Sequence, residues 1–121
     1  MKSRTSLLTA AALLFAALAI VAPAARSQTF ITFDPPGSVS TAPANINASG
    51  QIAGSYFDSS FATHGFLRNP DGTVKPVNDP QVVPGPQSSQ GTAVVGINPA
   101  GEMIGYYSDT NGVQHGFVAK P

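Results

Sequence analysis

The stretch Ile46 to Pro70, INASGQIAGSYFDSSFATHGFLRNP, is written a second time from Ile97 to Pro121 as INPAGEMIGYYSDTNGVQHGFVAKP. Ten of the 25 positions are identical, without a gap, at a constant offset of 51 (97 − 46). Apart from Ile46/Ile97 and Pro70/Pro121, the identities are Asn47/Asn98, Gly50/Gly101, Gly54/Gly105, Tyr56/Tyr107, Asp58/Asp109, His64/His115, Gly65/Gly116 and Phe66/Phe117. Thr41-Ala42 against Thr92-Ala93 carries the match upstream. Self-similarity at a period of this size is the mark of a supersecondary unit used more than once.

Each identity has a physical job. Asn47 to Gly50 and Asn98 to Gly101 read as four-residue turns, in which Asn hydrogen-bonds nearby backbone and Gly supplies the positive φ that other residues avoid. Gln51 to Tyr56 and Glu102 to Tyr107 alternate in character with the strand period of two, placing Ile52/Met103, Gly54/Gly105 and Tyr56/Tyr107 on one face. Asp58-Ser59-Ser60-Phe61 and Asp109-Thr110-Asn111-Gly112 turn the chain, and Thr63 to Arg68 and Val113 to Ala119 return as strands carrying His-Gly-Phe. In the first copy Asn69-Pro70-Asp71-Gly72 then turns into a strand at Thr73 to Val77, which Asp79-Pro80 stops. The second copy reaches Pro121 before any such strand.

Phe30 to Phe33 precedes Asp34-Pro35 much as Val74 to Val77 precedes Asp79-Pro80, so the missing strand is expected at the other end. The fold expected is all-β, with two four-stranded antiparallel units of propeller-blade type. Repeat 1 covers about 41–80, and repeat 2 covers about 91–121 completed by strand 30–33. Two units fall short of the roughly 4 to 8 blades of a propeller. The sheet faces then need covering by packing on one another, by assembly of several chains, or by further units of a longer ancestor; a compact two-sheet monomer is the arrangement expected. The link between units varies, and its extra residues fall in the Pro/Gln/Ser-rich loop Gln81 to Gln90.

Residues 1–27 read as a helical secretory signal. Lys2 and Arg4 form its basic start, Leu7 to Val21 its apolar run, and Ala22-Pro23-Ala24 and Ala25-Arg26-Ser27 offer the small residues that signal peptidase requires. Fifteen residues of helix rise only about 22 Å, short of the roughly 30 Å hydrocarbon core, which argues against a spanning anchor. The product is expected outside the cytoplasm of a bacterium, secreted or periplasmic, as a β domain over 28–121. Cleavage removes three of the six basic residues and leaves three against six acidic ones. A mildly acidic chain without a basic cluster has no footprint for nucleic acid or for an anionic membrane.

The order Ile46-Asn47, Gly50-Gln51-Ile52, Gly54, Tyr56, Asp58, then His64-Gly65-Phe66, repeated in the second copy, resembles the bacterial extracellular repeats named HAF after a His-Ala-Phe signature. The resemblance spans almost the whole chain after the leader, with Gly65 and Gly116 standing where that signature has Ala. It implies an exported, propeller-like β-repeat protein, and it brings no activity or substrate.

Chemistry-bearing residues are sparse. There is no cysteine, which excludes disulfides, thiolate metal sites and a cysteine nucleophile. His64 and His115 sit at equivalent places, and a zinc site would want three or four ligands that nothing nearby supplies, so both are expected to make one packing or turn bond per unit. Asp109-Thr110-Asn111-Gly112 resembles part of a calcium loop, but Asp58-Ser59-Ser60-Phe61 does not, and neither continues to a bidentate Glu. No Gly-x-Ser-x-Gly elbow and no phosphate-cradling loop occurs. No catalytic residue, metal or cofactor is therefore expected.

The function expected is a non-catalytic structural or surface interaction module, with self-association or a polysaccharide as the partners considered. Its rivals are a carbohydrate-binding module and a hydrolase-associated repeat domain. For the former, Phe57 and Tyr106 fall on the strand face opposite Tyr56 and Tyr107 and are the aromatics expected to be exposed.

Overall fold

The structure is a computed structural model that describes residues 20, 22–82 and 91–121. The helical part of the expected signal lies outside the described residues, as does most of the Gln81 to Gln90 loop. Met1–Ile31 and Thr32–Pro121 are separate compact units, and the described residues of the first form no helix or strand.

The second unit is all-β. β1 (Ser38–Ile46), β2 (Ile52–Asp58), β3 (Thr63–Arg68) and β4 (Val74–Val77) form an antiparallel meander, and β5 (Gly91–Ile97), β6 (Met103–Ser108) and β7 (Gln114–Ala119) form another. A single parallel pair, Thr63 with Gly91, joins β3 to β5 and makes one open sheet of seven strands. The hairpins follow from turn chemistry. In each connection of the form Asn47 to Gln51 the first residue exchanges backbone bonds with the residues three and four ahead, as in Gly50 N to Asn47 O (3.0 Å) and Asn47 N to Gln51 O (3.0 Å). That is a type I turn closed by a left-handed residue, the commonest three-residue hairpin loop. The left-handed place is taken by Gly50 (φ 79°), Gly72 (φ 92°), Gly101 (φ 84°), Gly112 (φ 77°) and, alone among non-glycines, Phe61 (φ 61°).

The first strand of each meander bulges at the same place, between Pro43 and Asn45 in β1 and between Val94 and Gly96 in β5. A bulge arches the backbone over its neighbour. Gly54 and Gly105 stand opposite, where a Cβ would lie 2.3 Å from the Ala42 carbonyl oxygen and 2.1 Å from that of Ala93. Close backbone approach explains this glycine pair.

Alternation gives each meander two faces. Ala53, Ser55, Gly65 and Leu67 share one face of the first, and β5 crosses it: Val94 N donates to Ser55 Oγ (3.0 Å), and a Cβ on Gly65 would meet Val94 Cγ2 at 2.7 Å. The core lies in this crossing. Ala53, Val94, Ile97 and Met103 are buried together, with Leu67, Val77, Phe117 and Ala119 packed around them. No cysteine or charged group contributes, so area removed from water at about 25 cal/mol per Å² is the main stabilising force here.

The strand expected at Phe30 to Phe33 does not form. Phe33 instead sets its ring edge-on against Phe66 (centroids 5.9 Å apart), under the Arg68 guanidinium (5.0 Å), while Asp34 accepts a 2.6 Å bond from the Thr41 hydroxyl. Half-burying this aromatic ring competes with edge pairing, and it holds Phe33 on a sheet face rather than at a sheet edge.

Candidate functional site

Two places on the sheet gather side chains capable of recognition or chemistry. The first is the Tyr-Asp-His group of each meander. β2 and β3 pair Tyr56 with His64, and β6 and β7 pair Tyr107 with His115. The rings stack with centroids 5.0 Å apart in both cases, at 25° and 26°. His64 Nε2 lies 2.8 Å from Asp58 Oδ2, and His115 Nε2 lies 3.1 Å from Asp109 Oδ2.

The other carboxylate oxygen closes the turn. Asp58 Oδ1 accepts from the backbone N–H groups of Ser60 (2.8 Å) and Ala62 (3.0 Å), and Asp109 Oδ1 accepts from those of Asn111 and Val113 (both 2.9 Å). The histidine hydrogen bond, aided by these N–H groups, holds both aspartates below the usual carboxylate range. Burial, and then the Asp58 charge, push the Tyr56 hydroxyl up. Each aspartate thus spends both oxygens on its own hairpin. Among the described residues no group of three His, Asp or Glu side chains is placed to hold a metal ion.

The Asn residues act likewise. Asn47 Oδ1 accepts from Gln51 N, and Asn98 Oδ1 accepts from Glu102 N, both at 2.9 Å. Asn47 Nδ2 also donates to the Asn98 carbonyl (3.1 Å), and Gln51 Nε2 reaches Asn69 Oδ1 (3.2 Å), so the turns at this end of the sheet are tied together. Of the remaining signature residues, Gly65 and Phe66 are buried, Phe117 is half-buried and Gly116 is exposed.

The second place is an open groove of about 490 Å³ between the bulged part of β1 and the outward face of β5 and β6. Pro43, Phe57, Val95, Tyr106 and Gln114 are among its lining residues. Phe57 and Tyr106 both lie in its wall with part of their surface in solvent, and among the described residues no charged side chain lines it. Sequence reasoning found the two aromatics through strand parity. It missed Pro43 and Val95, because the groove depends on how β1 approaches the second meander.

No family model, no curated protein and no solved structure matches this chain. The two places just described therefore carry the functional reading by themselves.

Proposed function

We propose that the chain is an exported, non-catalytic β-repeat protein of bacteria, secreted or periplasmic, that serves as a structural or surface interaction module. It is built from two blade-like units of the HAF kind, each designed for four strands. The observation that carries the reading is the use of the repeated polar residues. Asp58 and Asp109 spend their oxygens on His64 and His115 and on their own turns, and His64 Nδ1 also lies 3.2 Å from Asn78 Oδ1. A base or nucleophile needs a free, aimed atom near a place where substrate can sit. These groups offer support to hairpins instead.

The experiment is a screen of the purified chain against chromogenic ester, glycoside and peptide substrates, with His64→Gln and His115→Gln beside it. Variants that melt earlier, with no turnover in any sample, agree with the proposal. Turnover that the substitutions abolish while circular dichroism stays unchanged overturns it.

The groove favours a second reading, a carbohydrate-binding module. Neutral walls with accessible aromatic rings suit the apolar face of a sugar, and the hydroxyls of Ser55, Thr63 and Ser108 lie among its polar lining. Titration of tyrosine fluorescence with soluble polysaccharides tests it. Saturable quenching that Phe57→Ala and Tyr106→Ala both weaken at least tenfold supports it, and a flat response to every glycan rejects it.

A further inference from the structure

The two meanders use equivalent surfaces unequally, and the inequality points to a partner. The first meander is covered on its Ala53-Ser55-Gly65-Leu67 face by β5, and its β3 edge is occupied by β4. The corresponding face of the second meander carries Ile104, Tyr106, Gly116 and Val118, all exposed. Its last strand, β7, ends the sheet with no partner on its outer edge among the described residues. One apolar face, flanked by β1 across the groove at Tyr106 and by Asn45 beside Ile104 and Val118, and one strand edge therefore stand exposed together. Exposed edges of this kind accept a further strand.

Phe30 to Phe33, which pairs with no strand among the described residues, has the properties of that strand. Phe30 and Ile31 are 85% and 75% exposed, an unusual state for two adjacent large apolar residues. Like β4, the segment is followed by Asp-Pro and then by the first strand of a meander. In its own chain Phe33 is held on the face away from the second meander. Phe33 is anchored to Phe66, which points to the face of the first meander opposite Gly65, whereas β5 and the rest of the second meander pack against the Gly65 face.

We propose that the free β7 edge and the Ile104-Tyr106-Val118 face are the docking surface for a second copy of this chain, joined head to tail. This rests on the reading of the protein as an interaction module and names its partner. The occupant is the Phe30 to Phe33 segment together with the Phe66 face of the first meander, because the chain already makes this joint once inside itself. There β4 sits on β3 with Val77 opposite Gly65, Lys75 opposite Leu67 and Val74 opposite Arg68. At an offset of 51 the β3 residues become Gly116, Val118 and Ala119, and with Phe30 to Phe33 set in the place of Val74 to Val77, Phe33 stands opposite Gly116 and Ile31 opposite Val118. On docking, Phe33 exchanges Phe66 for the neighbour's strand edge, and Phe66 enters the neighbour's open face as Phe117 enters the core of its own chain. A head-to-tail contact repeats until the rotation closes a ring.

The chain lacks cysteine, which makes directed cross-linking clean. Full-length chains carrying Ile31→Cys are mixed with chains carrying Val118→Cys under glutathione oxidation. The expected product is a mixed disulfide dimer, at least tenfold more abundant than with Asp71→Cys in place of Ile31→Cys. Light scattering of the unsubstituted chain is expected to give at least twice the monomer mass, and Ile104→Lys with Val118→Lys to restore the monomer with an unchanged circular dichroism spectrum. A monomer mass at 100 µM overturns the proposal, as does a cross-link formed only inside an Ile31→Cys, Val118→Cys double variant. If that monomer still shows no turnover in the substrate screen, the module reading survives while the self-docking fails.

Discussion

Asn47 Nδ2 donates a 3.1 Å hydrogen bond to the main-chain carbonyl of Asn98, the residue that holds its own place in the other copy. Asn47 also bonds the Gln51 side chain and backbone, so its amide serves two turns at once. The Asn98 side chain bonds only within its own loop, to Glu102. Asn47→Ala removes three side-chain hydrogen bonds and is expected to cost about 3 kcal/mol, and Asn98→Ala, which removes two, about 2, at roughly 1 kcal/mol per net hydrogen bond. Urea unfolding of the two variants checks the order.

Gly65 and Gly116 share a signature position and not a surrounding. A Cβ on Gly65 would lie 2.5 Å from the Val77 carbonyl oxygen and 2.7 Å from Val94 Cγ2, whereas on Gly116 the nearest atom is 3.9 Å away. Gly65→Ala is expected to destabilise by about 1–3 kcal/mol through overpacking. Gly116→Ala in the unassembled chain should stay within about 0.5 kcal/mol. Equal losses in thermal melts would contradict the different packing of the two meanders.

Phe61 takes a left-handed conformation that its counterpart Gly112 adopts at no steric cost. Its ring is exposed and contributes little packing. Phe61→Gly is expected to raise stability by about 0.5–1 kcal/mol, the left-handed strain less the extra freedom of an unfolded glycine. A lower melting temperature in that variant would count against the turn assignment.

Asp58 and Asp109 are both held below the ordinary carboxylate range in the folded chain, first by their histidines and then by turn N–H groups. The folded state therefore releases these protons more readily than the unfolded one. The stabilisation is fully present above the unfolded value near 4 and is lost as pH falls through the folded values. Melting temperature should drop as the solution is taken below about pH 4, and Asp58→Asn with Asp109→Asn should flatten that slope. Scanning calorimetry across acid pH provides the comparison.

Ser55 is a second polar link between the meanders, accepting from Val94 N at 3.0 Å. Ser55→Ala leaves that buried N–H without a partner, at a cost of about 1–3 kcal/mol. Ser55→Gly should be no milder. Hydrogen exchange at the Val94 amide reports the loss directly.

The hairpins were legible because their determinants are local. The turn-closing bonds of Asn47, Gly50, Asp58, Asn98, Gly101 and Asp109 reach no further than four residues, so the turns they make are written in order along the chain. Strand parity likewise placed Phe57 and Tyr106 on the face that opens into the groove. The bulges at Pro43 and Val94 left only an indirect trace, the glycines opposite them. Phe30 to Phe33 has the composition of a strand, and composition does not say whether an edge is within reach; the Phe66 ring took Phe33 first.

By itself the sequence determined a β chain of tandem hairpins, since each turn is fixed by short-range hydrogen bonding and the backbone freedom of one residue. Tertiary structure decided what lies against what: the crossing of β5 over Gly65, the lone Thr63 to Gly91 pair, and the exposure of His64 at 13% against 43% for His115. Two segments alike at ten of 25 positions acquire different surroundings because burial is a property of the neighbour, and β5 packs on the Gly65 face while Gly116 stays exposed.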